Sequence, residues 1–352
     1  MLRLVEPLGL IEGPGAAEAI SAGTALPLLG GSLAFSLARL LPDRKLVPAA
    51  DIPPAWDEAL ARLTGPPSPF WRDRPTVMGV LNITPDSFSD GGRHLDPEHA
   101  IAAGLAMIAA GAAILDVGGE STRPGAALTP PEIEQARILP VIRGLAGQGV
   151  TVSVDTRNAA TMEAALAAGA AIVNDISGLT HDPAAAPLLA GCRVPVVLMH
   201  MRGTPQTMAG LARYGDVAVE VVEELAQRLA AAEKAGIARD RIALDPGIGF
   251  AKTAAHSLSL LARLPLLLNL GCPLLLGVSR KSFIGRVSGV AEPRGRLAGS
   301  LAAALFVLRN GASVLRVHDV ADAVQAVRVW QALACGEVPE ADTPASLAVA
   351  GG

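Results

Sequence analysis

From Thr76 onward the chain alternates between short apolar segments and longer alanine-rich segments. The apolar segments are rich in Val, Ile and Leu, which is typical of buried strands, whereas the alanine-rich segments have helical spacing. The pattern predicts strands at 76–83, 112–118, 150–155, 170–175, 194–200, 241–246, 273–279 and 312–317. It predicts helices near 97–110, 131–146, 159–168, 183–190, 215–235, 256–270, 295–309 and 319–334.

Residues that favour helix ends support this division. Proline is tolerated in the first turn of a helix, where its missing N–H needs no partner, and glycine is favoured directly after the last turn. The prolines near predicted helix starts are Pro97, Pro131 and Pro183, and the glycines after predicted helices are Gly111, Gly169, Gly236 and Gly311.

The predicted strands are apolar along their whole length, which indicates a parallel sheet covered on both faces. Eight strand–helix units in about 260 residues are the number and size of a (β/α)₈ TIM barrel, an α/β fold. A doubly wound open sheet is the alternative. No GxGxxG follows the first predicted strand, which weakens a dinucleotide-binding interpretation.

The pattern divides the chain into an N-terminal extension of unknown role (1–75), a barrel (76–335) and a C-terminal tail (336–352). The extension contains Pro-Pro pairs and little periodicity. Its residues 19–38 carry no charge, so a membrane span is one interpretation. Pro27, the Gly30-Gly31 pair and several hydroxyl residues favour a packed strand, turn and helix instead.

Composition narrows the possible classes of protein. Hydrophobic residues make up 51% of the chain, which excludes an intrinsically disordered protein. The net charge of -4 predicts neither nucleic-acid binding nor an anionic membrane surface as a partner. Three widely spaced cysteines indicate neither a disulfide framework nor a metal site, and with no secretory signal pattern they favour a cytoplasmic location.

Every predicted strand from Thr76 onward ends in polar or charged residues, whereas the segments before the strands are bland. A single acidic residue at a strand end is equally explained as a helix N-cap. The same asymmetry at all eight strands is better explained by a TIM-barrel active site, which lies at the carboxyl ends of the strands.

The last two strand ends carry cations. Arg280 and Lys281 follow the seventh strand, and Arg316 and His318 lie at the end of the eighth. These positions form the usual phosphate site of a TIM barrel, and Arg and His can donate to phosphate oxygens.

The first two strand ends add further polar groups. Asn82 has a neutral oxygen suited to Mg²⁺, which takes few protein ligands together with substrate phosphates; a turn residue before Thr84-Pro85 is the alternative. Thr122 and Arg123 add possible anion donors in a glycine-rich loop. Together these residues favour a diphosphate ester as substrate.

Three further strand ends carry Asp155, Asn174 and Asp245. Because an unpaired buried carboxylate is costly, a heterocycle with an amidine-like N–H edge is a suitable partner, with Lys281 at its carbonyl. Internal pairing of Asp245 with Lys281 is the alternative. Asp116, at the second strand end, is predicted to be a structural partner of nearby loop amides.

The strand-end sequences resemble dihydropteroate synthases across about residues 76–334. The resemblance rests on eight segments in order: MGVLNITPDSFSDGG, ILDVGGESTRPGA, VSVDT, AAIVNDISG, LMHM, LDPGIGF, SRKSFIG and RVHDV. It implies a TIM barrel that joins p-aminobenzoate to a dihydropterin methyl diphosphate in folate biosynthesis and releases pyrophosphate.

The resemblance also assigns residues. It places the pterin on Asp155, Asn174, Met199, Asp245, Lys281 and Arg316. It places the diphosphate on Asn82, Thr122, Arg316 and His318, and Mg²⁺ on Asn82 with Asp86 and Asp90 nearby. It places p-aminobenzoate, and the sulfonamides that mimic it, among Phe88, Thr122, Pro124, Phe250, Lys281 and Ser282. The residues expected to act in catalysis are Asn82, Lys281, Arg316 and His318.

Several alternatives remain open. A pterin-binding methyltransferase barrel would share the pterin acids without the diphosphate-binding residues, and a non-catalytic paralogue would bind pterin or a partner protein. Phe88 and Phe250 have local packing as their alternative, and His200 is expected to bond backbone groups. The resemblance implies a homodimer.

Overall fold

The computed structural model describes residues 2–31, 33–66, 68, 75–84, 96–121, 125 and 128–336. The strands are β1 Leu4–Glu12, β2 Leu26–Leu28, β3 Leu33–Leu41, β4 Lys45–Pro48, β5 Thr76–Asn82, β6 Ile114–Gly118, β7 Val152–Asp155, β8 Ile172–Asp175, β9 Val196–Met199, β10 Ile242–Asp245, β11 Leu275–Leu276 and β12 Val314–Val317. The helices are α1 Pro14–Ser21, α2 Asp57–Thr64, α3 Pro97–Ala109, α4 Pro131–Ala146, α5 Ala159–Ala167, α6 Ala185–Ala190, α7 Val217–Lys234, α8 Ala254–Ala262, α9 Ser282–Ser288, α10 Leu297–Arg309 and α11 Val320–Cys335.

Strands β5 to β12 form one parallel sheet in the order β10-β9-β8-β7-β6-β5-β12-β11. The two ends of this order meet through a parallel bridge between Leu244 and Leu274, and the amide of Leu244 donates to the carbonyl of Pro273 at 2.9 Å. The bridge closes the sheet into a barrel, so the predicted (β/α)₈ fold is confirmed, and each of the eight predicted strands is present.

The glycines predicted to end helices have the backbone conformation that is typical of that position. Gly111, Gly169, Gly236 and Gly311 all have φ between +93° and +105°, a left-handed conformation that only glycine adopts at little cost. Pro97 and Pro131 are the first residues of α3 and α4, while α6 begins two residues after Pro183.

Two helical segments differ from the prediction. The helix predicted near 256–270 ends at Ala262, and a 3₁₀ segment, Leu264–Leu270, follows it. Pro265 explains the change, because its ring and missing N–H are incompatible with a continuing α-helix. Helix α9 follows Lys281 directly and was not predicted, since it is only two turns long.

The N-terminal extension is folded. Strand β3 lies at the centre of an antiparallel sheet, with β1 on one side and β2 and β4 on the other. The uncharged segment 19–38 supplies the end of α1, β2 and most of β3. Among the described residues, no helix combines the length and apolar character that a membrane crossing needs.

The extension is joined to the barrel at the 3₁₀ segment Leu264–Leu270, which precedes β11. The side chain of Asn269 accepts from the Val5 amide at 2.8 Å and donates to the Val5 carbonyl at 2.7 Å. Arg263 donates to Glu6 at 2.7 Å and to Asp216 at 2.8 Å. The extension therefore packs at the end of the barrel where strands begin, opposite the polar strand ends.

Candidate active site

The guanidinium of Arg316 on β12 joins two acidic strand ends inside the barrel. Its Nε donates to Asp116 Oδ2 at 2.6 Å, and its Nη2 donates to Asp155 Oδ2 at 2.7 Å. Asn174 on β8 donates to the same Asp116 oxygen at 3.0 Å. Asp116 is completely buried, so the prediction that it is a partner of loop amides is wrong, and it belongs to this cluster.

The other side of the cluster holds Asp245 and Lys281. Asp245 Oδ1 accepts from the Gly247 amide at 2.7 Å. Within the described part of the chain, Asp245 forms no ion pair with Lys281, so the internal-pairing alternative is not what the structure shows. Lys281 Nζ instead lies 4.6 Å from the centre of the Phe250 ring, in a cation–π contact.

Burial shifts the ionisation of these groups. It raises the pKa of Asp155 to about 7, against the lowering effect of Arg316, and it also raises the pKa of Asp245. Burial lowers the pKa of Lys281 to about 8, which Asp245 partly offsets. Burial also lowers the pKa of Arg316, but Asp116 and Asp155 outweigh it and the net shift is upward.

The charges in the cluster favour a ligand that donates hydrogen bonds. Three carboxyl groups, on Asp116, Asp155 and Asp245, lie in the same cluster as two cationic side chains, Arg316 and Lys281. Carboxyl groups therefore outnumber cationic side chains by one. Asp116 Oδ1 is buried and has no hydrogen-bond partner among the described residues. Since such acceptors are costly when unpaired, a flat ligand with several N–H groups would offset the cost.

His318 and Arg280 lie beside this cluster but differ in their availability. His318 Nδ1 lies 3.1 Å from the hydroxyl of Ser279, and burial together with Arg280 and Arg316 lowers its pKa to about 4. Arg280 donates to both carboxylate oxygens of Asp319. This pairing uses two of the three Arg280 guanidinium nitrogens, and Arg316 likewise keeps one nitrogen, Nη1, without a partner among the described residues.

The remaining described candidates surround the same opening. Asn82 ends β5 and is half-buried, Met199 ends β9 in a small cluster with Phe250, and Ser282 is the exposed first residue of α9. Asp86, Phe88, Asp90, Thr122, Arg123 and Pro124 lie outside the described residues.

The start of the loop after β6 is anchored by charged pairs. Arg157 Nε and Nη2 donate to the two carboxylate oxygens of Glu120 at 3.0 and 2.9 Å. Arg137 donates to the Gly119 carbonyl at 2.8 Å. These bonds fix the base of a loop on which the sequence places several substrate-binding candidates.

Sequence reasoning missed a row of three side chains behind the β9 and β10 ends: His200 and Lys252 are buried, and Glu224 is partly exposed. His200 Nε2 lies 2.9 Å from Glu224, and its Nδ1 lies 2.8 Å from Lys252 Nζ. The ring of His200 thus contacts two charged side chains, and the expectation that it bonds backbone groups is wrong. Lys252 follows Phe250 by two residues, and this proximity was the only sequence signal.

The chain is similar to known proteins over the barrel. Residues 78–318 match the family described as "Pterin binding enzyme". The dihydropteroate synthase of Mycobacterium leprae is 49% identical over 259 residues, which cover 72% of this chain and 91% of that protein.

Solved structures agree. The Xanthomonas albilineans dihydropteroate synthase with 4-aminobenzoic acid is 50% identical with a TM-score of 0.70, over 74% of this chain and 93% of that one. The same enzyme in complex with 7,8-dihydropteroate is 48% identical with a TM-score of 0.68, over 74% and 94%. The chain belongs to the family of pterin-binding enzymes and, within it, to the dihydropteroate synthases.

Proposed function

We propose that this protein condenses (7,8-dihydropterin-6-yl)methyl diphosphate with p-aminobenzoate, giving 7,8-dihydropteroate and pyrophosphate for folate biosynthesis. The observation that carries the proposal is the cluster of Asp116, Asp155, Asn174 and Arg316 at the carboxyl ends of four barrel strands. A TIM-barrel active site lies at this end, and the chain is a family member.

In this proposal the pterin is the flat ligand whose N–H groups pair with the acceptors of the acidic cluster. Asp245 and Asn174 can accept and donate along its amidine-like edge, and the Lys281 ammonium can donate to its carbonyl. Asp155, held at 2.7 Å by Arg316, supplies a second acceptor. Met199 and the guanidinium of Arg316 form the walls against which the rings lie. Fixed donors and acceptors of this kind orient the substrate before reaction.

The reaction is a displacement at the methylene between pterin and diphosphate. The C–O bond to the diphosphate breaks, its electron pair leaves with the diphosphate, and the amine nitrogen of p-aminobenzoate forms the new C–N bond and then loses a proton. Arg316 has an unused Nη1, and His318 is adjacent, so both can donate to the leaving oxygens. Electron-rich pterin can disperse charge from the methylene, so we propose that C–O cleavage leads.

We include Mg²⁺ in the proposal, on the chemistry of its donors. Among the residues that the structure describes, no group of three or more His, Cys, Asp or Glu side chains could hold a metal. Asn82 offers a neutral oxygen at the end of β5, which suits an ion that takes most of its ligands from phosphate and water. Asp86 and Asp90 are the further candidates near its waters. When bound, Mg²⁺ would neutralise charge on the diphosphate.

The p-aminobenzoate site in this proposal lies outside the pterin pocket. Phe250, which contacts Lys281, forms one wall, and Ser282 at the start of α9 can donate to the carboxylate. Phe88, Thr122 and Pro124 complete the site on the loops. Sulfonamides, which have the shape and charge of p-aminobenzoate, would compete here. We further propose a cytoplasmic homodimer: the dimer is implied by the resemblance to dihydropteroate synthases, and the location is favoured by three widely spaced cysteines that indicate no disulfide framework.

The test is a steady-state assay of pyrophosphate release with both substrates, run with Mg²⁺ and with a chelator. We expect release that depends on p-aminobenzoate and Mg²⁺ and is inhibited competitively by a sulfonamide. Methyl transfer to a corrinoid acceptor without pyrophosphate release would support the methyltransferase alternative. Pterin binding without either reaction would indicate a non-catalytic paralogue.

A further inference from the structure

The side chain of Lys252 is buried against the loop that joins β10 to α8. Lys252 is 8% exposed, and its Nζ contacts three acceptors: the Gly247 carbonyl at 3.1 Å, the Phe250 carbonyl at 3.0 Å and His200 Nδ1 at 2.8 Å. An ammonium has three N–H groups and no acceptor. All three are used, and two of them bind the backbone of one loop.

The loop needs such a partner because its backbone is unusual. Gly247, Gly249 and Ala251 have φ of +66°, +84° and +48°, a region that costs a residue with a side chain free energy. A Cβ on Gly247 would lie 2.0 Å from the His200 carbonyl, so the loop passes directly against the β9 end. The Gly247 and Phe250 carbonyls turn inward, toward Lys252.

Hydrogen-bond chemistry fixes the protons of the row. Burial lowers the pKa of Lys252 to about 7. Below that pH its ammonium can only donate, so His200 Nδ1 accepts and the ring proton is on Nε2, which donates to Glu224 Oε2 at 2.9 Å. Glu224 in turn accepts from Arg202 Nε at 2.9 Å. Burial lowers the pKa of His200 to about 4, in keeping with a neutral ring between the two charged groups.

We propose that Lys252 is a positioning residue for both substrates, with His200 and Glu224 as its supports. The loop that it holds positions two groups of the proposed substrate sites: Asp245 at the end of β10, which accepts from the Gly247 amide, and Phe250 in the loop, whose ring contacts Lys281. This proposal rests on the proposed function, because the loop matters only if it forms the pterin and p-aminobenzoate sites.

The test compares Lys252→Met with Lys234→Met, which removes an exposed lysine at the end of α7. Methionine keeps the length of the side chain but leaves three buried acceptors unpaired. We expect the KM for p-aminobenzoate and the Kd for 7,8-dihydropteroate, measured by calorimetry, to rise about tenfold. We expect kcat to fall less than about threefold, because bound substrates still meet Lys281 and Arg316. Lys234→Met should match the wild type.

Two further measurements separate positioning from stability. Hydrogen exchange should become about tenfold faster at residues 246–252 in Lys252→Met, with strand amides unchanged. Nitrogen NMR should show His200 as the neutral Nε2–H form from pH 5.5 to 6.5 in the wild type, and as a titrating ring in the variant. The charged groups around Lys252 are Asp245, Glu224, Arg228 and Arg202, and none of them changes in that variant.

Unchanged KM, Kd and loop exchange in Lys252→Met would overturn the proposal, as would a loss confined to kcat. If Lys252→Met does not fold, His200→Phe decides, since it removes one acceptor and should raise KM about threefold. If the wild type releases no pyrophosphate, the proposed function fails, while loop exchange still tests the role of Lys252.

Discussion

Arg316 Nε lies 2.6 Å from the Oδ2 of Asp116, a carboxylate that no solvent reaches. This bond fixes the plane of the guanidinium, because Nη2 is held by Asp155 at the same time. Only Nη1 is left without a partner among the described residues, so its N–H groups are available to a ligand. Arg316 thus belongs both to the acidic cluster and to the proposed diphosphate site.

Replacing Arg316 with alanine should abolish turnover while weakening pterin binding only in part. The loss of donors to the leaving group should lower kcat by about 10³-fold. The change also leaves the carboxylates of Asp116 and Asp155 inside the barrel without the cation that pairs with them. The free energy of unfolding should therefore fall by about 3 kcal/mol. Pyrophosphate release and calorimetry with a pterin measure these effects. Activity equal to that of the wild type would contradict the role of Arg316 in the reaction.

Asp116→Asn tests the bond between Asp116 and Arg316 while keeping Arg316 itself. The amide keeps the shape of the side chain but removes the charge that holds Arg316 Nε, so kcat/KM for the pterin diphosphate should fall about 10- to 100-fold. Asp322→Asn, on the exposed side of α11, is the matched control and should leave kcat/KM unchanged. An Asp116→Asn enzyme with full activity would show that Asp155 alone orients the guanidinium.

The pH dependence should report Lys281. Burial lowers its pKa to about 8, so the ammonium that donates to the pterin is lost as pH rises through that value. We expect kcat/KM for the pterin diphosphate, which reports the free enzyme, to decline above about pH 8. Lys281→Arg should move this decline to higher pH because a guanidinium stays charged. An unchanged profile in that variant would assign the decline to another group.

The lowered pKa of Lys281 also makes the free energy of unfolding depend on pH. The folded pKa of Lys281, about 8, lies below its ordinary value of 10.5. Between these values the unfolded chain binds more protons, so the contribution of Lys281 to the free energy of unfolding rises with pH across this window. Lys281→Met should remove that rise in denaturant titrations.

Asn269→Ala should destabilise the fold without changing catalysis. Its side chain makes two hydrogen bonds to Val5 and one, at 2.7 Å, to the Leu266 carbonyl, and all of them are buried. Leaving these backbone groups unpaired should cost about 2–4 kcal/mol. Denaturant titration measures the loss, and Gln148→Ala, at an exposed site, should change stability by less than about 0.5 kcal/mol. A large fall in kcat would contradict the separation of Asn269 from the active site.

The barrel was predictable because each repeat carries local signals. The strands are rich in Val, Ile and Leu, and helices end at a left-handed glycine such as Gly111 or Gly311, so the unit can be recognised without knowledge of its neighbours. The antiparallel sheet of the extension was not predicted, because its strands contain the prolines Pro7, Pro27 and Pro48, which are typical of linkers in sequence. In the structure they lie in strands of a small antiparallel sheet, where they are tolerated at edges.

The site was predictable as a set of strand ends but not as a set of pairs. Whether Asp245 would pair with Lys281, or Arg280 with a substrate, depends on side-chain distances that arise only when β10, β11 and β12 are brought together. In the structure Arg280 forms an ion pair with Asp319, and the Lys281 ammonium lies over the Phe250 ring. Asp116 was misassigned because nothing in ILDVG shows that Arg316, 200 residues away, will reach it.

The bonds between Asn269 and Val5 also bear on self-association. An outer strand exposes backbone N–H and C=O groups to which a strand of another molecule can add. At Val5 both groups of β1 are already taken by one amide side chain of the barrel. The small sheet therefore cannot grow into a neighbouring molecule at this position, and Asn269 both helps to attach the extension and blocks strand addition at Val5.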